Sequence, residues 1–133
     1  MTGSGHPLRM VLAGGGTGGH VFPAIAIAEE VMKRSASSKV LFVGTARGIE
    51  SRVVPRAGYD LAMVDIEGLK GRRIAAMLRS VMKIPGSLLQ SRSILRRFHP
   101  HVVLGVGGYA SGPVVMAAHL MFVLFRVATT AAV

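Results

Sequence analysis

The chain contains no cysteine, no tryptophan, two tyrosines, and no acidic residue after Glu67. Without cysteine there is no disulfide framework, no thiolate nucleophile and no zinc site built on thiolates. No Asp-x-Asp pair is available to hold a divalent ion on a diphosphate, and no His/Asp/Glu cluster stands at metal-ligand spacing. So few flat aromatic rings leave a base-stacking platform poorly supplied, which weighs against nucleic acid as a partner. Long apolar runs are also missing. The longest, "PVVMAAHLMFVLF", falls short of the ~20 residues a membrane-crossing helix needs and reads as buried helix and strand. The opening "MTGSGHPLRM" lacks the charged and long apolar regions of a secretory signal, so a cytoplasmic location is expected.

What is present is one domain's worth of chain. Of 133 residues, 50% are hydrophobic, enough for a real core and against disorder. The formal net charge is +10, and it is lopsided: all six acids lie at or before Glu67, and nine Lys or Arg follow without one. Such a field suits phosphates or an anionic membrane surface.

Two apolar runs, "LRMVLAG" and "KVLFVGT", end at or next to glycine; "LAMVDI" alternates more, and "HVVLGVGG" again ends in glycines. Continuous Val-rich runs bounded by glycine predict parallel strands buried on both faces. A helix is expected from about Val21 to Arg34, with Ile25, Ala28, Val31 and Met32 on one face. "GIESRVVPRAGY" offers a short helix broken at Pro55 and closed near Gly58, and two more helices are expected between Arg72 and Phe98, separated by "IPGS". The order predicts an α/β domain with a Rossmann-like, doubly wound parallel sheet.

"GGGTGG", residues 14–19, fits G-x-G-x-x-G after a strand and before a helix. There bare backbone N–H groups and the helix dipole can both face an anion. A P-loop is excluded because no Lys-Ser/Thr follows. A nicotinamide-dinucleotide reading weakens because the second strand ends in "VGTARG", with no acid before Glu50 to hold a ribose. The bland alternative is a tight turn without a ligand. His20 stands where the helix begins; the dipole there favours a neutral ring able to accept a proton, the alternative being a histidine bonded to nearby backbone. A second cluster, "GVGGYASGP" at 105–113, also follows a strand, so both loops are expected at the carboxyl edge of the sheet. In "RRIAAMLRSVMKIPG", Ile74, Met77, Leu78, Val81 and Met82 share one helical face, with Arg72, Arg79 and Lys83 opposite. That spacing is usually a helix packed on its own sheet; the alternative, which does not exclude it, is an apolar patch ringed by cations in a headgroup region.

"GGGTGGHVFPAIAIAEEV", "FVGTARGIESRVVPRAGYDL", "IEGLKGR" and "HPHVVLGVGGYASGPVVMAAH" together resemble the amino-terminal domain of the glycosyltransferase family 28 enzymes of peptidoglycan synthesis. The resemblance runs from about Arg9 to Leu120. It implies the acceptor-side half of a GT-B architecture, two Rossmann-like domains facing across a cleft, with no metal and no cofactor. The implied reaction moves GlcNAc from UDP-GlcNAc to undecaprenyl-pyrophosphoryl-MurNAc-pentapeptide (lipid I, giving lipid II) at the cytoplasmic face of the bacterial inner membrane. It further implies His20 as the base for the acceptor hydroxyl. Thr17, Gly18 and Gly19 would lie against UDP-GlcNAc or diphosphate across the cleft, and Gly107, Gly108, Tyr109 and Ser111 would form the second loop near the acceptor pyrophosphate. Arg73, Ile74, Met77, Leu78, Arg79, Val81 and Lys83 would be a patch docking an anionic membrane surface.

The likeness stops in the last stretch. Where the family continues with Gly-Ile-Pro, a strand and His-Glu-Gln-Asn, this chain reads "MFVLFRVATTAAV". The expectation is a domain over 1–120, a divergent tail over 121–133 of the kind a frame slip leaves, no donor-binding domain, and no transfer by the chain alone. An acceptor-binding, membrane-associated subunit of a two-chain transferase is the alternative, with a nicotinamide-dependent oxidoreductase less supported.

Overall fold

The computed structural model describes residues 6–65 and 74–131, with side chains described everywhere in those ranges except 74–85 and 123–131. In chain order the elements are β1 (Arg9–Gly14), α1 (Gly18–Arg34), β2 (Lys39–Gly44), α2 (Glu50–Arg56), β3 (Asp60–Met63), α3 (Ile74–Phe98), β4 (Val102–Gly107) and α4 (Ser111–Ala131). The four strands form one parallel sheet in the order β3-β2-β1-β4.

β1 is central and buried, and its alternating side chains serve two cores. Met10 and Leu12 point to one face, where Val40 and Phe42 of β2 join Val21, Ala24, Ile25 and Ala28 of α1 and Val54 of α2. Val11 and Ala13 point to the other face, onto Val43, Leu95 of α3, and Val114 and Ala117 of α4. Two apolar faces explain why the strand is a continuous apolar run rather than an alternating one. The chain winds outward from β1 through β2 to β3, then returns to place β4 on β1's other side. That reversal makes the carboxyl ends of β1 and β4 the switch point of the sheet, where open α/β sheets open a crevice.

Four expectations are corrected. The segment expected as two helices is one, Ile74–Phe98, running through Pro85. A proline removes a single helical bond, and packing C-terminal to it holds the helix: Leu95 is buried, Ser91 Oγ–H donates to the Ser87 carbonyl (2.7 Å) and Ser87 Oγ–H to that of Asp65 (2.6 Å). The apolar stretch from Pro113 is helix throughout, without a strand, and Val115, Met116 and Leu120 on it are exposed. Among the described residues β4 is an edge strand, not one buried on both faces; Val102 and Leu104 are exposed. Pro55 likewise does not break α2, which reaches Arg56 before Gly58 closes it at φ +88°.

Candidate functional site

The two glycine loops meet at the switch point. Gly15 N–H donates to the Gly107 carbonyl at 3.1 Å, tying the end of β1 to the end of β4. Gly108 lies so close to the Gly15 carbonyl that a Cβ there would collide with it, and its φ of +87° excludes most side chains as well. These glycines are explained by the fold itself.

Gly18 and Gly19 are different. Both lie in the first turn of α1, neither has a positive φ, and a Cβ on Gly19 would find only Thr17 Oγ1, at 3.7 Å. A Cβ on Gly18 would meet the edge of the Phe22 ring at 3.1 Å, and Phe22 is exposed and free to shift. Neither conformation nor packing demands glycine at either position, and two bare residues there leave the backbone of the first turn uncovered. Thr17 is the helix's N-cap residue but makes no side-chain cap, and no acid occupies the first turn. Among the described residues the amides of Thr17, Gly18 and Gly19 have no acceptor, whereas those of His20 and Val21 bond to the Thr17 carbonyl. A helix N-terminus with open donors favours an anion by about 0.3–1 kcal/mol from the dipole alone, before direct hydrogen bonds.

His20 Nδ1 lies 3.1 Å from the Gly15 carbonyl and 3.3 Å from Thr17 Oγ1. A carbonyl only accepts, so in the neutral ring Nδ1 carries the proton and Nε2 keeps its lone pair. That edge of the ring packs against Gly107, whose α-carbon has room for it only without a side chain: a Cβ there would sit 2.8 Å from Nε2. The basic nitrogen is therefore delivered to the junction of the two loops.

Thr17, Gly18, Gly19, His20, Gly107 and Gly108 are thus brought together. Tyr109 continues the second loop with its ring exposed, and Ser111 opens α4, with its Oγ turned toward Gly105. The membrane patch is a different matter. Arg73, and the side chains of Ile74, Met77, Leu78, Arg79, Val81 and Lys83, lie outside the described residues.

One residue escaped the sequence reading. Glu50, at the start of α2, is 1% exposed and reaches beneath the first loop. Its Oε2 accepts from Gly16 N–H at 2.8 Å; its Oε1 accepts from Thr45 N–H at 2.9 Å and Thr45 Oγ–H at 3.2 Å. In the sequence Glu50 registers only as an acid too late to hold a ribose. The signal that could have found it is the pair of glycines, Gly44 and Gly48, shortly before it.

A doubly wound α/β sheet with two glycine loops and a histidine at its switch point is the arrangement in which open α/β proteins place a ligand at the strand carboxyl ends. Its family can be stated. Residues 10–128 match the glycosyltransferase family 28 N-terminal domain, and the chain belongs to that family. It is 56% identical over 114 residues to the UDP-N-acetylglucosamine–N-acetylmuramyl-(pentapeptide) pyrophosphoryl-undecaprenol N-acetylglucosamine transferase of Syntrophus aciditrophicus, covering 86% of this chain and 32% of that protein. The Myxococcus xanthus protein of the same name is also 56% identical, with 86% of this chain and 30% of that protein covered. The crystal structure of Acinetobacter baumannii MurG superposes with a TM-score of 0.73 at 29% identity, over 86% of this chain and 33% of that one. The chain therefore spans about a third of the length of the relatives it matches. Among the described residues, no helix is long and apolar enough to cross a membrane.

Proposed function

We propose that this chain is the acceptor-side domain of a peptidoglycan transferase that adds GlcNAc from UDP-GlcNAc to lipid I. Residues 1–120 are taken as the body of the domain, and the family match continues to residue 128, into the segment expected as a divergent tail. The observation that carries the reading is the convergence of His20 Nε2 with the open amides of Thr17, Gly18 and Gly19 at the switch point. In the reaction the acceptor's 4-hydroxyl oxygen bonds to the anomeric carbon of GlcNAc while the bond from that carbon to the UDP oxygen breaks. The hydroxyl proton passes to Nε2 of His20, and the bonding electrons leave on the UDP diphosphate. The amides of Thr17, Gly18 and Gly19 and the α1 dipole hold the acceptor's pyrophosphate beside that hydroxyl. Tyr109 and Ser111 lie on the lip that receives the acceptor, and the basic segment Arg73–Lys83 rests on the anionic leaflet that holds it.

Titration of the chain with a short-chain lipid I analogue tests this. Saturable binding is expected, weakened about tenfold by Gly18→Leu, whose side chain covers the open amides. The chain alone is expected to bind without turnover. Absence of binding, or robust lipid II formation from UDP-GlcNAc by the isolated chain, overturns the assignment.

A further inference from the structure

We propose that Glu50 is a positioning residue that aims the amide-bearing turn at the acceptor's pyrophosphate, an inference that rests on the acceptor-domain reading above. Glu50 is the one buried acid among the described residues, and no Lys or Arg pairs with it; the single described ion pair is Arg34 with Glu30, on the surface. Burying a carboxylate without a countercharge costs several kcal/mol unless donors surround it. Here the donors are Gly16 N–H, Thr45 N–H and Thr45 Oγ–H.

The chain makes room for it as well. A Cβ on Gly15, Gly44 or Gly48 would run into the Glu50 side chain. Three glycines from two loops therefore shape a cradle for one carboxylate. An apolar side chain would fill that space without the desolvation cost, so the charge itself has a use.

Its use follows from which donors it takes. By holding Gly16 N–H, the carboxylate fixes the crown of the first loop to the β2–α2 turn. The next three amides, of Thr17, Gly18 and Gly19, are then presented outward in one orientation. The negative charge beneath Gly16 also disfavours an anion seated at that end of the loop, and directs a pyrophosphate toward the helix N-terminus beside His20. Glu50 touches no substrate; it acts through Gly16.

The test compares the wild-type chain with Glu50→Gln, which keeps the shape but turns an amide N–H₂ toward groups that already donate. Three readouts are taken: Kd for a short-chain lipid I analogue, thermal midpoint, and hydrogen exchange at Gly16. Leu95→Ala, destabilised at a site remote from the loop, is the control. For E50Q the expected result is a Kd raised about tenfold and faster Gly16 exchange, while Leu95→Ala loses at least as much thermal stability and holds its Kd within about twofold. A wild-type Kd in folded E50Q overturns the proposal, as does a loss of affinity matched by Leu95→Ala. Should E50Q not fold, Glu50→Asp decides by the same criteria, since its charge is kept but its reach is too short to bridge both loops. A wild-type chain that ignores the analogue overturns the acceptor reading instead, which separates the two failures.

Discussion

His20 would be an unremarked surface imidazole but for the carbonyl behind it. Because the Gly15 carbonyl fixes the proton on Nδ1, long-range proton–nitrogen NMR of the neutral ring is expected to show the Nδ1–H tautomer. Detection of Nε2–H would remove His20 as the base. The glycines separate in the same way, by what each one touches. Gly108→Ala must relieve both a collision with the Gly15 carbonyl and an unfavourable φ, and is expected to lower urea-unfolding stability by about 2–4 kcal/mol. Gly18→Ala, in ordinary helical backbone, is expected to stay within about 1 kcal/mol of wild type. Equal losses from the two would erase the distinction between glycines kept for folding and those kept for a ligand.

At the scale of elements, the starts of the helices matter more than their lengths. α1 begins at Gly18, three residues before the expected Val21, so the loop's last glycines are already helical and their amides lie parallel to its axis. α3 owes its continuity to the residues that follow its proline. Leu95 is 2% exposed and anchors the helix on the second core, so Leu95→Ala is expected to cost about 2–5 kcal/mol in chemical unfolding. A loss below about 1 kcal/mol would mean that α3 is not seated on the sheet as described. Ala28, fully buried between α1 and the sheet, sets how closely the two approach, and Ala28→Leu is expected to overpack the interface by about 1–3 kcal/mol.

Over the whole molecule, two asymmetries stand out. Among the described residues no strand pairs beyond β4, and Val102 and Leu104 on it are exposed; Val115, Met116 and Leu120 of α4 are exposed as well. A Val-rich edge of this kind invites pairing with another strand. The chain is expected to self-associate with rising concentration in light scattering, and Leu104→Lys to reduce that; an unchanged association would place the contact elsewhere. The second asymmetry is charge. A net +10 is expected to retain the chain on phosphatidylglycerol vesicles in low salt and to release it as NaCl rises from about 50 to 500 mM, as screening shortens. Retention insensitive to salt would show that apolar insertion, not charge, holds it.

The strands, their parallel order, the two glycine loops and the histidine between them could all be read along the chain. Apolar runs that serve two faces, and glycines that punctuate them, are local signals. What tertiary structure alone decided is which partners those signals meet across the fold. The lone pair on His20 depends on a carbonyl brought back by a tight turn. β4 became an edge because nothing among the described residues pairs beyond it, and α3 passed its proline because of contacts made later in the chain. Glu50 gained its place because a side chain 34 residues from Gly16 folds beneath it. Such contacts are made between residues distant in sequence, and composition and spacing record only the residues, not the approach.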